Sequence, residues 1–104
     1  MKTFSERVIE AALSIPKGKV STYGDIAKAS GAGGQAARSV NGILVRAHRK
    51  EGVDIPFHRI VYSNGQIWKS KKYNAQRMKF YTREGIRVNE KGYIEDFLSK
   101  RYQF

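Results

Sequence analysis

Helix start and stop signals lie so close together in the first part of the chain that only short helices can form there. Thr3-Phe4-Ser5-Glu6 has the form of a capping box, and apolar residues at helical spacing extend the predicted helix over residues 4–15 until Pro16 ends it. Thr22 begins a second, shorter helix as its N-cap, and Gly31 closes it. These signals predict short helices packed around one core.

A third helix is predicted from near Gln35 to about Ala47. Its apolar side carries Ala36, Ala37, Val40, Ile43, Leu44 and Ala47, and its other side carries Gln35, Arg38, Gly42, Arg46 and Arg49. A short helix, a glycine-rich turn and a helix with a basic, small-residue face are typical of a helix-turn-helix. A solvated arginine face is the alternative. Gly42 favours the first interpretation, because a small side chain lets a helix backbone approach a groove closely.

A β-hairpin is predicted after the helix-turn-helix. Residues 62–68 have strand character around Asn64-Gly65, which is the signal of a type I′ turn. A hairpin in this place corresponds to the wing of a winged helix. The basic run Lys69–Tyr73 follows it and is either a solvated loop or a phosphate contact.

The remaining residues predict a fourth helix, a second small hairpin and a docked tail. The helix begins at Asn74 and ends at Glu84-Gly85, and the hairpin turns at Asn89-Glu90-Lys91. We therefore predict an α-rich fold with small β hairpins, a helix-turn-helix or winged-helix-like domain. The length predicts one domain over residues 1–104, and we expect a monomer.

Charge narrows the class of partner. The chain has 20 Lys and Arg against 9 Asp and Glu, a net charge of +11, and its two halves carry nearly equal shares. A folded domain with this charge most often binds a polyanion, usually nucleic acid. A basic protein without such a partner is the alternative. No basic helix shows the broad apolar face that binding to a membrane surface requires.

Two absences in the sequence exclude further classes. The chain has no cysteine, which excludes disulfides, thiolate metal sites and a cysteine nucleophile. No apolar run is long enough to cross a membrane or to act as a signal peptide. We expect a soluble, intracellular protein, which is cytoplasmic and associated with the nucleoid if the source is prokaryotic.

The segment Ile55–Val61 places three functional side chains on stiffened backbone. Pro56 fixes its own φ, and Phe57, His58 and Arg59 follow it. One interpretation is a strand entry in which Phe57 packs in the core and His58 bonds a carbonyl. The other is that these groups are held in place for a ligand.

Five motifs occur in a fixed order over residues 4–88. They are Ile15–Ala27, Ala37–Val40, Ile55–Val61, Ser63–Gly65 and Arg83–Ile86. Together they resemble the C-terminal domain of O6-alkylguanine-DNA alkyltransferases, in which a Pro-Cys-His-Arg motif carries the alkyl-accepting cysteine. Phe57 occupies that position here. An aromatic residue at this position resembles the pattern of the alkyltransferase-like proteins, in which tryptophan usually replaces the cysteine.

The resemblance implies a protein that recognises DNA damage and is not an enzyme. Alkyl transfer needs a thiolate, and Phe57 has no lone pair to offer. The implied function is binding of O6-alkylguanine through the minor groove by nucleotide flipping, which marks the lesion for nucleotide excision repair. The alternative is a winged-helix DNA-binding or regulatory protein without lesion specificity. A hydrolase using His58 is a third reading, disfavoured because no metal set or second catalytic carboxylate accompanies it.

The resemblance also implies roles for individual residues. Arg38 would fill the base stack, and Tyr23 would press on the phosphate of the rotating nucleotide. The expected DNA-binding residues are Tyr23, Arg38, Ser39, Gly42, Arg46, Lys71 and Lys72. The expected lesion-pocket residues are Tyr23, Asn41, Pro56, Phe57, His58, Trp68 and Ser70, where Ser70 falls near a pocket tyrosine of the transferases.

Asn41, His58 and Glu84 match the relay that deprotonates the cysteine in the transferases. Without that thiol we expect them to be structural, with His58 joined to Glu84 and Asn41 holding a carbonyl of the motif turn. No cofactor or metal is expected. The expected partners are double-stranded DNA containing O6-alkylguanine and nucleotide excision repair proteins, with no membrane.

Overall fold

The computed structural model describes residues 2–33, 36–68 and 74–104. In these ranges the elements are α1 (Phe4–Ser14), β1 (Ser21–Thr22), α2 (Tyr23–Ala29), α3 (Ala37–Glu51), β2 (Ile60–Val61), α4 (Asn74–Arg83) and α5 (Phe97–Lys100). The predicted α-rich fold is confirmed. Among the described residues, no helix is both long and apolar enough to cross a membrane.

Both predicted N-caps are present. The Thr3 hydroxyl accepts from the Glu6 amide at 3.2 Å, and the Thr22 hydroxyl accepts from the Asp25 amide at 3.0 Å. Each bond satisfies one of the amides that a helix start leaves without a partner. The cap at Thr22 fixes where α2 begins and therefore where Tyr23, its first residue, is placed.

The first hydrophobic cluster joins α1, α2 and α3. Its buried members are Val8, Ala12, Ile15, Ile26, Ala27, Val40, Leu44, Ile55 and Ile60. On α3, Val40, Leu44 and Ala47 are buried, as the apolar periodicity predicts. Arg38, Ser39, Gly42 and Arg46 are exposed on the other side of the helix. The two faces of α3 are therefore separated as the sequence indicates.

The predicted end of α3 near Ala47 is wrong. The helix continues to Glu51, and Gly52 ends it in the left-handed conformation with φ 69°. No helix breaker occurs before Gly52, and the basic residues from His48 onwards are favourable at the negative end of the helix dipole. The segment that was expected to be a polar loop is thus the last turn of α3.

The β structure is small and partly unexpected. β1 and β2 pair in parallel, with Ser21 opposite Ile60 and Thr22 opposite Val61. Val20 extends this pairing on its other side, in a parallel bridge to Arg101. Strands of two residues have no readable periodicity, so the sequence did not predict this pairing. It joins the first half of the chain to the segment that contains Phe57 and to the tail.

The hairpin turn at Asn64-Gly65 is present, but the predicted turn type is wrong. The Gly65 amide donates to the Tyr62 carbonyl at 2.8 Å, and the Tyr62 amide donates to the Gln66 carbonyl at 2.9 Å. Gly65 has φ 86°, whereas Asn64 lacks the positive φ that a type I′ turn requires. This is a three-residue loop, a type I turn closed by a left-handed glycine. It sets the direction in which Tyr62 and Trp68 leave the turn.

The second hydrophobic cluster joins the hairpins to α4. Its buried members are Val20, Val61, Ile67, Tyr81, Ile86 and Ile94. The end of α4 is a Schellman motif, in which the Ile86 amide donates to the Tyr81 carbonyl at 2.9 Å and the Gly85 amide to the Thr82 carbonyl at 3.2 Å. This motif confirms the predicted end at Glu84-Gly85.

Candidate nucleic-acid interface

A cleft of about 440 Å³ opens where the start of α2, the start of α3 and the hairpin meet. Its lining residues are Tyr23, Gly24, Ala37, Arg38, Asn41, Tyr62, Ser63 and Trp68. The structure therefore brings together Tyr23, Arg38, Asn41 and Trp68, all of which were predicted site residues. Tyr62 was missed, because nothing local in the sequence indicates that the hairpin turn lies beside α2.

Tyr23 is held at one side of the cleft. The capped start of α2 places it there, and its ring centroid lies 6.0 Å from that of Tyr62, at an interplanar angle of 47°. Burial, and to a lesser extent the neighbouring Tyr62, raise the pKa of Tyr23 above its ordinary value. Its hydroxyl therefore stays protonated at neutral pH and can donate a hydrogen bond to a phosphate oxygen.

The exposed face of α3 continues from the cleft as a shallow basic groove. Arg38, at the second position of α3, belongs to the cleft, and the groove beyond it is lined by Asn41, Gly42, Val45, Arg46, Arg49 and Lys50. A Cβ at Gly42 would meet nothing within 4 Å. Packing inside the protein therefore does not require glycine there. Three cations beside this groove favour a polyanionic partner.

The described part of the chain includes only some of the other predicted site residues. Ser39 is exposed on α3 and lies outside the cleft lining. Ser70, Lys71 and Lys72 fall outside the described residues, as does the start of the third helix near Gln35. The roles predicted for Ser70 and the two lysines stay predictions.

The segment with Phe57 forms a single 3-10 turn over Phe57–Arg59 before β2. Phe57 packs against the first hydrophobic cluster and meets His48 edge-on, with centroids 5.7 Å apart at 87°. The described lining of the cleft does not include Pro56, Phe57 or His58, in contrast to the predicted pocket. The tight turn directs these side chains to other partners. Contact between Phe57 and a flipped base stays a prediction.

His58 and Glu84 form the predicted pair. The Nε2 of His58 lies 2.5 Å from Oε2 of Glu84, and the imidazole stacks on Phe80 with centroids 4.8 Å apart. Burial lowers the pKa of His58, although Glu84 acts in the opposite direction. The ring is therefore neutral at pH 7 and donates its Nε2 proton to the carboxylate. A neutral, buried and bonded imidazole indicates a structural role.

Glu84 collects further donors. Arg59 donates through Nε at 2.9 Å and Nη2 at 3.0 Å, and the Gly18 amide donates at 3.1 Å. Burial opposes ionisation of this carboxyl, but the hydrogen bonds from Arg59, His58 and Gly18 outweigh it and lower the pKa of Glu84 to about 2. The third Arg59 nitrogen, Nη1, donates to the Ile15 carbonyl at 3.0 Å. This cluster ties the end of α4 to the 3-10 turn and to the turn after α1.

The predicted place of Asn41 in this relay is wrong. Asn41 is exposed on α3 and lines the cleft, and among the described residues its side chain bonds neither His58 nor a carbonyl of the motif turn. Arg59 supplies the third connection to Glu84 instead. Its planar guanidinium reaches both carboxylate oxygens, which a single amide cannot do.

Arg77 was not among the predicted site residues. It lies on α4, and its guanidinium carbon is 4.4 Å from the centroid of the Trp68 ring. Its Nη1 also donates to the Trp68 carbonyl at 3.3 Å. A contact across nine positions between a hairpin and a helix leaves no local signal in the sequence.

Chemically, the cleft can bind but offers no alkyl acceptor. The chain has no cysteine, and the structure, within its described ranges, contains no group of three His, Asp or Glu side chains that could hold a metal ion. What remains is an aromatic pair, an arginine, an amide and an indole around one opening. These groups suit a planar ring and its phosphates.

The chain is similar to proteins whose names refer to DNA binding or DNA base flipping. Residues 3–86 match the family described as 6-O-methylguanine DNA methyltransferase, DNA binding domain. The chain is 40% identical over 95 residues to a DNA base-flipping protein of Vibrio parahaemolyticus, covering 90% of this chain and 91% of that one. It is 37% identical over 93 residues to the DNA base-flipping protein of Escherichia coli, covering 89% and 70%.

A solved structure agrees with these relatives. The structure of Schizosaccharomyces pombe Atl1 in complex with damaged DNA containing O6-carboxymethylguanine is similar at a TM-score of 0.76 and 28% identity, over 100% of both chains. The fold, the ordered motifs and the match over residues 3–86 lead to one conclusion. The chain belongs to the family of the 6-O-methylguanine DNA methyltransferase DNA-binding domain, as an alkyltransferase-like member with phenylalanine at the cysteine position.

Proposed function

We propose that this protein recognises O6-alkylguanine in duplex DNA without repairing it. It binds the minor groove through α3, rotates the modified nucleotide towards the cleft and marks the site for nucleotide excision repair. The observation that carries this proposal is that Tyr23 and Arg38 line one cleft in a chain that has no cysteine.

The exposed face of α3 supports binding to a duplex. Arg46, Arg49 and Lys50 border the groove that runs along it, and the whole chain has a net charge of +11. Neutralising phosphates releases counterions, which supplies affinity that does not depend on sequence. At Gly42 the space beside the helix is free of protein atoms, so the backbone can come close to the floor of a groove.

The positions of Arg38 and Tyr23 support nucleotide flipping. Unstacking a base costs a few kcal/mol, and least at a damaged or mispaired position. A long side chain that fills the vacated space offsets part of this cost. Arg38 is exposed at the start of α3 and can reach into a base stack, while Tyr23 faces the same opening. Weakened pairing at O6-alkylguanine then contributes to selectivity.

The absence of a thiol supports binding without transfer. Removing an alkyl group from O6 requires a soft nucleophile that becomes alkylated, and Phe57 cannot act as one. The two relatives named DNA base-flipping protein and the complex of Atl1 with damaged DNA are consistent with this activity. Because the lesion survives binding, its removal falls to other proteins, which is why we propose the link to nucleotide excision repair.

The test is a titration of two duplexes that differ in one base, guanine or O6-methylguanine, at matched salt. We expect tighter binding to the modified duplex. A 2-aminopurine next to the modified base should become brighter as its neighbour leaves the stack. Equal affinity for the two duplexes would instead favour a winged-helix DNA-binding protein without lesion specificity. The repair link is tested separately, by asking whether bound protein stimulates incision of the modified duplex by excision-repair proteins.

A further inference from the structure

Trp68 and Arg77 form a contact pair at the edge of the cleft. Trp68 lines the cleft and leaves 39% of its surface exposed. Arg77 lies on α4, and its guanidinium carbon is 4.4 Å from the indole centroid. Its Nη1 donates to the Trp68 carbonyl at 3.3 Å. One side chain therefore contacts both the ring and the backbone of Trp68.

The charge of Arg77 has no carboxylate partner. All 9 acidic residues of the chain lie in the described ranges, and no carboxylate there forms a salt bridge with Arg77. Arg77 is partly buried, and the indole is the aromatic partner of its charge. Its charge also acts on Tyr23 across the cleft, where burial raises the hydroxyl pKa and Arg77 opposes that rise.

Arg77 covers the indole without lining the cleft. Trp68 lines the cleft and Arg77 does not, so the ring face opposite the guanidinium is the one available to a ligand there. An indole fixed on one side presents its other side in a defined orientation before any ligand arrives. Fixing a ring in advance reduces the entropy that binding must remove. Stacking on an aromatic ring is also available to every base, whatever its substituent.

We propose that Trp68 is the stacking platform for the flipped base and that Arg77 is the residue that positions it. This proposal rests on the proposed function, because it names the surface against which the rotated nucleotide is held. It assigns lesion preference partly to a residue that touches neither the base nor its phosphates.

The first experiment needs no DNA. Trp68 is the single tryptophan of the chain, so its fluorescence reports this contact alone. Arg77→Met keeps the length of the side chain and removes the charge. We expect a shifted emission and stronger quenching by acrylamide in this variant. Arg83→Met is the matched control, because it removes an exposed arginine from the same helix, and its emission should equal that of the unaltered protein.

The second experiment adds the two duplexes. We expect the O6-methylguanine duplex to quench Trp68 more than the guanine duplex does. Arg77→Met should lose about fivefold of the lesion preference, because an indole that is not held in advance must be ordered when the base binds. Its affinity for unmodified DNA should match that of Arg83→Met. Arg77→Lys, which keeps a cation over the ring, should recover part of the preference.

Four results would overturn the proposal, and they can be told apart. Full lesion preference in Arg77→Met would show that Arg77 does not position the platform. An equal loss on both duplexes, with a reduced salt slope, would identify Arg77 as a phosphate contact. Lesion preference with no response of Trp68 would remove the platform and leave the proposed function intact. Equal binding of both duplexes by the unaltered protein would remove both proposals together.

Discussion

At the scale of single residues, Glu84 is the centre of the cluster that it forms with His58, Arg59 and Gly18. It accepts hydrogen bonds from His58, Arg59 and the Gly18 amide, and its side chain is only 6% exposed. Its carboxylate therefore holds three segments of the chain together. Such a cluster stabilises the fold whether or not a nucleophile stands beside it.

Replacing Glu84 with glutamine should expose this role through pH. The pKa of Glu84 is lowered from 4.5 to about 2, so the ionised form stabilises the folded state above pH 4.5, and that stability is lost as the pH falls towards 2. This contribution is at most about 3 kcal/mol. Glu84→Gln should unfold more easily at pH 7 and should lose this part of the acid transition. Denaturant unfolding from pH 7 to pH 2.5 measures both effects.

The control for this prediction is Glu10→Gln. Glu10 pairs with Lys2 on the surface, where both side chains are more than half exposed. Exposed ion pairs of this kind contribute little to stability. We therefore expect an unchanged acid transition in Glu10→Gln. An unchanged transition in Glu84→Gln would show that the buried cluster does not govern stability in acid.

Arg38→Ala should remove most of the lesion preference. Without the arginine side chain in the base stack, nothing offsets the cost of unstacking the modified base. Binding to unmodified DNA loses only the contribution of one positive charge. We expect at least a tenfold drop in the ratio of the two affinities, on the order of 1.4 kcal/mol. Arg46→Ala is the comparison, since it should weaken binding to both duplexes equally and reduce the salt dependence of the affinity by about one unit of slope. Equal behaviour of the two variants would place Arg38 on the phosphates.

At the scale of elements, one side of α3 packs in the core and its other side is exposed and basic. Its buried residues fix it against α1 and α2, and the opposite face has a glycine in the middle of the helix. Glycine inside a helix is less stable than alanine by roughly 0.5–1 kcal/mol. Because a Cβ at Gly42 would contact nothing in the protein, packing does not explain why the less stable residue is present there.

Gly42→Ala should therefore make the protein more stable and a weaker DNA binder. We expect a gain of about 0.5–1 kcal/mol in the free energy of unfolding and a loss of about tenfold in duplex affinity. Denaturant unfolding and anisotropy titration measure the two. Thr82→Ala, at an exposed position of α4, should leave DNA affinity unchanged. A more stable Gly42→Ala that binds DNA as before would show that the backbone of α3 does not approach the duplex closely.

Features of the fold that depend on neighbouring residues could be predicted from the sequence, whereas features that depend on distant residues could not. Caps at Thr3 and Thr22 and the stop at Gly85 depend on neighbouring residues, and they were predicted. The pairing of β1 with β2 was missed because two-residue strands carry no pattern. The predicted end of α3 near Ala47 is wrong because polar residues do not by themselves stop a helix, and no helix breaker lies between Ala47 and Gly52. Helix polarity and helix length are separate properties.

The residues of the cleft show the same difference between local and distant interactions. Tyr23 and Arg38 could be predicted because both belong to the ordered motifs, and the structure brings them to one cleft with Trp68, which no motif marks. Tyr62 and Arg77 could not, since their places depend on how the hairpin and α4 pack against the rest. Packing between distant segments is not encoded at fixed spacing.

At the scale of the whole molecule, the tail closes the fold. Residues 87–104 lie beyond the family match, yet Arg101 in this range forms a parallel bridge to Val20, the residue directly before β1. The Tyr102 amide donates to the Val20 carbonyl at 2.7 Å, and Tyr102 packs on the first hydrophobic cluster. Arg101 reaches Asp25 through two hydrogen bonds, at 2.7 Å and 2.8 Å. The predicted docking of the tail is confirmed, and it supports the first turn of α2.

Arg101→Met should destabilise the whole protein by about 1–2 kcal/mol. Two charge-assisted bonds to a partly buried carboxylate are lost, and with them the tie between the tail and α2. A double-mutant cycle with Asp25→Asn, followed by denaturant unfolding, isolates the pair. Arg87→Met, at an exposed position, serves as the control. A coupling energy near zero would mean that the tail is held by its backbone and aromatic contacts instead.

Phenylalanine at position 57 affects how many times one molecule of this protein can act. A thiol that accepts an alkyl group forms a stable thioether, so each transferase molecule serves once and must be replaced by new synthesis. Phe57 emerges from every encounter unchanged. On the proposed function, the same molecule can bind one damaged site after another, so the number of sites that it serves depends on how long it stays at each one.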